Sequence, residues 1–213
     1  MGSEMCIRDR AGSWLAQFPS AHEYLHRLTV RSDDRTGTRG DEPAFPVIAA
    51  STRVALDTLA ERAPAALRLL ALCSWLAPLP LPLTLVYTDT ALHLLRPHDA
   101  SLHEPMLVDR EVQELSRLGL AEVDQAGHTL KVHRIVQRLV LASLPANEVD
   151  EVRHEAHRLL TAAAPRRDDS VAETDDLAFE RLWPHLDHAG ADTCPDSDTR
   201  AVLLERVLSL IHI

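Results

Sequence analysis

Aromatic residues make up only 4% of this 213-residue chain, and Lys131 is its single lysine. With so few rings, any core has to be packed from leucine, alanine and valine. Basic charge rests almost wholly on arginine, the mark of GC-rich coding; it predicts a bacterial genome and no particular chemistry. Acidic residues outnumber basic ones by 32 to 22, a formal net charge of -10. That balance argues against general nucleic-acid binding, where basic surface supplies most of the affinity. Cysteine is also scarce. Cys73 falls in an apolar helical run and Cys194 in a polar loop, a distribution that fits neither a disulfide framework nor a metal motif. A reduced, cytoplasmic setting is expected.

Two further absences narrow the function. No phosphate loop of the G-x-x-x-x-G-K-[ST] form occurs, and no nucleophile motif, so no catalytic residue is assigned and the chain by itself is not expected to be an enzyme. Nor is there an unbroken membrane span. Leu69 to Thr88 carries no charge and is long enough to cross a bilayer. Pro78, Pro80 and Pro82 fall in its middle, remove donors and break the helix. The expectation is a buried helix, a proline-rich turn and a second helix start, with no membrane partner.

The two ends share an oddity. Met5-Cys6-Ile7-Arg8-Asp9-Arg10 back-translates as ATG TGT ATA AGA GAC AGR, and Leu208-Ser209-Leu210-Ile211-His212-Ile213 as CTG TCT CTT ATA CAC ATC. Each is the reverse complement of the other, and both resemble the mosaic end of transposase-based sequencing libraries. Residues 1–10 and 208–213 are therefore expected to be translated adapter. The natural protein would run from about Ala11 to Val207, cut on both sides, so Cys6 carries no function.

Between those ends the hydrophobic periodicity is mostly helical. Ser20 and Glu23 make a capping box for a short helix, which fades into an exposed linker over 31–46. A helix is expected from Val47 to Glu61, with Ile48, Ala55 and Leu59 on one side. Pro64 suits the first turn of the next, where Leu69, Leu72, Cys73 and Leu76 keep helical spacing. Leu67, Leu70 and Trp75 make that helix apolar on most other sides, which marks it as central. A helix over Leu83 to Leu95 follows, then a polar connection to Pro105 and a helix from Val108 to Leu118 with Gly119 as its C-cap. Leu120 to Asp124 and Thr129 to Val132 read as a hairpin around Gln125-Ala126-Gly127-His128. The helix from His133 should turn Ile135, Val136, Leu139 and Val140 inward. Three helices, a hairpin and another helix are the parts of a winged helix. Pro145 and Asn147 end that unit and cap a helix whose stripe is Val149, Val152, Ala156, Leu159, Leu160 and Ala163. After a charged loop over 165–176, helices over Leu177 to Ala189 and Thr199 to Val207 look like the start of an antiparallel array.

The run Leu118-Gly119-Leu120-Ala121-Glu122-Val123-Asp124, the hairpin, and Lys131-Val132-His133-Arg134-Ile135-Val136-Gln137 resemble the winged-helix segment of bacterial signal-transduction NTPases of the NB-ARC and STAND type. The likeness is nearest to the branch with tetratricopeptide repeats, including proteins of the FxSxx-COOH peptide system. Leu59-Ala60-Glu61-Arg62-Ala63-Pro64-Ala65-Ala66 and Leu72-Cys73-Ser74-Trp75-Leu76-Ala77-Pro78 resemble its helices before the wing, and Leu182-Trp183-Pro184-His185 the start of its repeats. The resemblance implies a P-loop domain upstream that binds ATP or ADP, a winged helix that closes over the nucleotide, and repeats that sense a ligand or protein partner. Residues 11–45 would then be the end of an NTPase-associated helical domain with its linker, 46–145 the winged helix, and 146–207 the start of a repeat array similar to tetratricopeptide repeats.

The resemblance also implies a cofactor-binding pair. Relatives place the His of a Met-His-Asp motif against the ADP β-phosphate; here the triplet is Val132-His133-Arg134, so His133 matches and Arg134 departs from the Asp. A helix start favours an anion, and a neutral imidazole can donate one hydrogen bond to a phosphate oxygen. Arg134 could add a cation there. The plainer reading of His133 is a residue that merely caps the wing by hydrogen bonding. His154 and His157, like His185 and His188, stand three apart on a helix, but two ligands fall short of the three or four a metal needs, so no metal is expected. The expected fold is thus mostly α: a helical domain, a winged helix with a small hairpin wing, and the start of a helical array. Two other functions remain open, a protein-binding scaffold and a DNA-binding regulator. The latter is disfavoured because Asp109, Glu111 and Glu114 on the groove-reading helix would meet phosphate.

Overall fold

The computed structural model describes residues 46–164 and 172–202; the capping box at Ser20, the linker over 31–45, both chain ends and most of the loop after Pro165 lie outside them. The fold is mostly helical with a small three-stranded antiparallel sheet. Helix α1 (Pro46–Arg62) leads into α2 (Pro64–Ser74), with Pro64 in the first turn as its missing donor allows. A short strand β1 (Leu81–Pro82), helices α3 (Leu83–Val86) and α4 (Asp89–Leu95), and a 3-10 turn at Pro105–Leu107 follow. Then come α5 (Val108–Arg117), the hairpin β2 (Ala121–Asp124) and β3 (Thr129–Val132), and α6 (Arg134–Ser143). Helices α7 (Val149–Ala163) and α8 (Ala172–His188), a 3-10 turn at Ala191–Thr193 and a helical stretch over 197–202 complete the described chain.

Helix α2 is the centre. Leu69, Leu70, Leu72 and Ala66 are all fully buried, while Leu67 and Arg68 are half-buried. It packs against α1, α4, α5, α6 and α7. Its C-terminal carbonyls are closed from across the fold by Gln137 of α6, whose side-chain amide donates to Leu76 O at 2.9 Å and Cys73 O at 3.4 Å. Val136 and Val140 bury on α6 as expected, while Ile135 and Leu139 are only half-buried and polar Gln137 goes inside. The reason is that orphan carbonyls at a buried helix end need a donor.

The apolar faces of α7 and α8 join the same core. Val152, Leu159, Leu160, Leu182 and Leu186 lie in one continuous cluster with Leu69 and Leu85. Arg68, the one charged residue of α2, reaches α7: its guanidinium donates to Glu155 through Nε at 3.0 Å and pairs with it at 2.7 Å, with Glu148 at 3.8 Å. Trp75 lies against the same helix, with the Arg153 guanidinium 5.9 Å from its ring centroid.

Four local expectations need correction. The proline-rich segment is not only a turn, because Leu81 and Pro82 pair with Leu130 and Thr129 and make a third strand in the order β1-β3-β2. Pro82 is tolerated there since β1 is an edge strand. The helix expected over Leu83 to Leu95 is broken by Thr88, whose extended backbone and Oγ1, accepting from Ala91 N at 3.1 Å, start a fresh helix. Asn147 does not cap α7; Glu148 holds that position without a side-chain bond. The charged loop is shorter than expected, since α8 already runs from Ala172.

The hairpin follows expectation closely. Gly119 takes φ 62° and, with Leu120 N donating to Leu115 O, terminates α5 in a Schellman motif. Glu122 faces Lys131 across the strands. Asp124 Oδ1 accepts from Ala126 N and Gly127 N, both at 3.0 Å, which folds the tip. Among the described residues no helix is long and apolar enough to cross a membrane.

Gln137→Leu should expose this dependence on a buried donor. Leaving the Cys73 and Leu76 carbonyls without a partner should cost about 1–3 kcal/mol in urea unfolding. An unchanged midpoint and slope would show that the amide is dispensable.

Candidate functional site

Three places gather polar chemistry. The first is the N-terminus of α6. His133 occupies the N-cap with extended backbone angles, and its Nδ1 accepts from Ile135 N at 3.3 Å. A neutral ring accepting at Nδ1 carries its proton on Nε2, which is therefore the atom able to donate to an anion. His133 and Arg134 are both exposed. The capping role is thus part of the geometry, and it fixes the tautomer that phosphate contact would need.

The second is a cleft of about 520 Å³ lined by Arg62, Pro64, His98, Asp99, Arg110 and Glu114, with the buried Glu111 at its wall. Its charges are largely satisfied by one another. Arg110 pairs with Asp99 and donates through Nε to Glu111 at 3.0 Å, and Arg117 pairs with Glu114. Tyr87 OH donates to Asp109 at 2.7 Å, and burial together with that carboxylate pushes its phenol up to about 12. The arginines of α5 are therefore committed to carboxylates.

The third is where sequence reasoning fell short. His157 is buried, not on the helix surface, and its Nε2 lies 2.8 Å from Ala189 O. Its Nδ1 is buried without a partner. Cys194, expected in a polar loop, is 3% exposed, and its Sγ lies 3.6 Å from His154 Nδ1. One ligand atom from each of His154, His157 and Cys194 lies within 4.8 Å of the others. The signal available in sequence was that His157 adjoins Ala156 and Leu160 on the apolar stripe of α7. Nothing in the sequence pointed to Cys194, because the contact spans forty positions and depends on the turn after α8. By contrast His185 and His188 do not act as a pair, since His185 is buried and His188 is exposed. Cys73 is inert: burial pushes its thiol up to about 12.

Neither ring nitrogen of His185 finds a hydrogen bond; the Pro80 carbonyl acts on the ring without proper bonding geometry. Burial holds this imidazole below its ordinary range, and His188 pushes the same way. A base with a lowered folded-state value takes up protons in the unfolded chain first, so stability present above pH about 6.5 is lost as the pH falls below it. Thermal melts at about pH 7.5 and about pH 5 should show the lower midpoint in acid, with His185→Leu shrinking the difference. An acid-insensitive wild type would mean the ring is not held neutral by the fold. Comparison with known proteins supplies no identity, since no protein-family model, no curated protein and no solved structure matches this chain.

Proposed function

We propose that this chain is the coupling module of a nucleotide-switch signalling protein of the STAND type, a winged helix docked onto the first helices of a repeat array similar to tetratricopeptide repeats. The observation that carries the reading is the single core. Residues of α2, α6, α7 and α8 are buried in one cluster, so a displacement at the wing reaches the array without a flexible joint between them. The order helix, β1, helices, α5, β2, β3 suits a winged helix, because β1 pairs antiparallel with β3 and closes the sheet behind the hairpin.

In this reading ADP or ATP belongs to a P-loop domain of the intact parent, and His133 contacts the ADP β-phosphate through Nε2–H. Arg134 lies beside it and adds a cation. The partners are that upstream domain, the downstream repeats and a protein or ligand sensed by them, in a bacterial cytoplasm. Direct DNA recognition is the poorer account. The groove-reading face would be α5, whose Arg110 and Arg117 already hold carboxylates, and whose remaining acids would repel phosphate.

The pocket wall supplied by the P-loop domain has no counterpart among the described residues, so calorimetry of this chain should detect weak ADP or ATP binding at most. Sub-micromolar affinity would sink the reading. In the intact parent, His133→Asn keeps a capping side chain but removes the imidazole donor, and should speed ADP release. Unchanged release would leave His133 as a cap only.

A further inference from the structure

We propose that His154, His157 and Cys194 form a Zn²⁺ site that pins α7 to the turn following α8, with the fourth position open to water or an exogenous ligand. This rests on the cluster alone and is independent of the nucleotide reading. Three ligand atoms from two distant chain segments lie within 4.8 Å of one another. The Cys194 Sγ to His154 Nδ1 separation is 3.6 Å. Zinc bonds of about 2.3 Å to sulfur and about 2.0 Å to nitrogen, at a tetrahedral angle, give an edge of about 3.5 Å.

His157 supplies the second argument. It is 2% exposed, and its Nδ1 has no partner in a buried setting. Its other nitrogen lies 2.8 Å from the Ala189 carbonyl. Donation of Nε2–H to that carbonyl leaves the Nδ1 lone pair for a metal, the outer-shell arrangement that metal-binding histidines commonly show. The turn geometry supports this placement. Gly190 takes φ 66°, and Thr193 folds back on it through N at 3.1 Å and Oγ1 at 2.8 Å, both donating to Gly190 O. This delivers Ala189 O and Cys194 to the same helix.

The donor set selects the metal class. One thiolate and two imidazoles with no carboxylate suit a borderline-soft cation and exclude a calcium- or magnesium-type cage. Binding forms the S–Zn bond as the thiol proton leaves to solvent. The resulting local charge of the site is positive, with Asp192 in the adjoining turn favouring it and Arg153 opposing.

Titration of the chelator-treated chain with Co²⁺, followed by Zn²⁺ competition, tests the site. The expected result is one equivalent of tetrahedral Co²⁺, with intense visible bands and a thiolate charge-transfer band in the near ultraviolet. Cys194→Ser should abolish that band and weaken Zn²⁺ by more than roughly 100-fold, beyond the 10–100-fold of an outer-shell change. Cys6→Ser and Cys73→Ala should leave the band intact. Zn²⁺ should also raise the thermal midpoint of the wild type and not of Cys194→Ser. His154→Gln is read beside it, with circular dichroism confirming the fold of each variant, so that loss of the band in either folded variant is informative. Absence of a charge-transfer band, its survival in Cys194→Ser, or only weak octahedral binding to scattered histidines would overturn the proposal.

Discussion

The fold depends on one constraint, a central helix whose leucine and alanine face has to be covered. Helix α2 buries Leu69, Leu70, Leu72 and Ala66 completely, while Leu67 and Arg68 are half-buried. A helix of this kind is stable only when neighbours cover its apolar faces. Helices α1, α5 and α6 cover it on some sides, and α4 and α7 on others. Two of its polar features are answered from across the structure. Its C-terminal carbonyls meet Gln137, and its guanidinium meets Glu155. The Arg68–Glu155 pair is shielded, with side-chain exposures of 10% and 16%. Such a pair specifies which helix lies against which more than it stabilises, since desolvation offsets much of the attraction.

That packing makes a mechanical role reasonable. His133 begins α6; one turn later Gln137 grips the end of α2; the middle of α2 holds α7 through Arg68. A contact at the N-cap of α6 is thus two rigid helices away from the first helix of the proposed array. The helical stretch over 197–202 joins in turn, with Thr199 Oγ1 lying 3.0 Å from Thr161 Oγ1 of α7. A zinc ion at His154, His157 and Cys194 would stiffen the same path at its far end.

Much of this was legible in the residues, and the failures share a cause. Helical periodicity, the helix-opening Pro64, the C-cap at Gly119 and the hairpin around Gly127 are local signals, and each is realised. Thr88 was also a local signal, a threonine before Asp89, but the apolar run around it hid the break. The third strand was not legible, because two residues with a proline carry no strand pattern and acquire one only by lying beside Leu130 and Thr129. The burial of Gln137 and the meeting of Cys194 with His154 depend on separations of dozens of positions. Periodicity cannot see such pairs. His133 was placed correctly at a helix start, yet the sequence could not say that its own ring would take up one of the free N–H groups there.

The central claim is that α6 and α7, the proposed wing and array helices, belong to one cooperative unit built on α2. Native-state amide hydrogen exchange tests it most directly, comparing the interior amides of α2, α6 and α7 in the wild type and in Arg68→Met. The account predicts that all three helices open at the same free energy, the global one, and that the substitution shifts them together. If α7 exchanged through a separate, lower-energy opening while α2 and α6 stayed protected, the coupling would be contradicted.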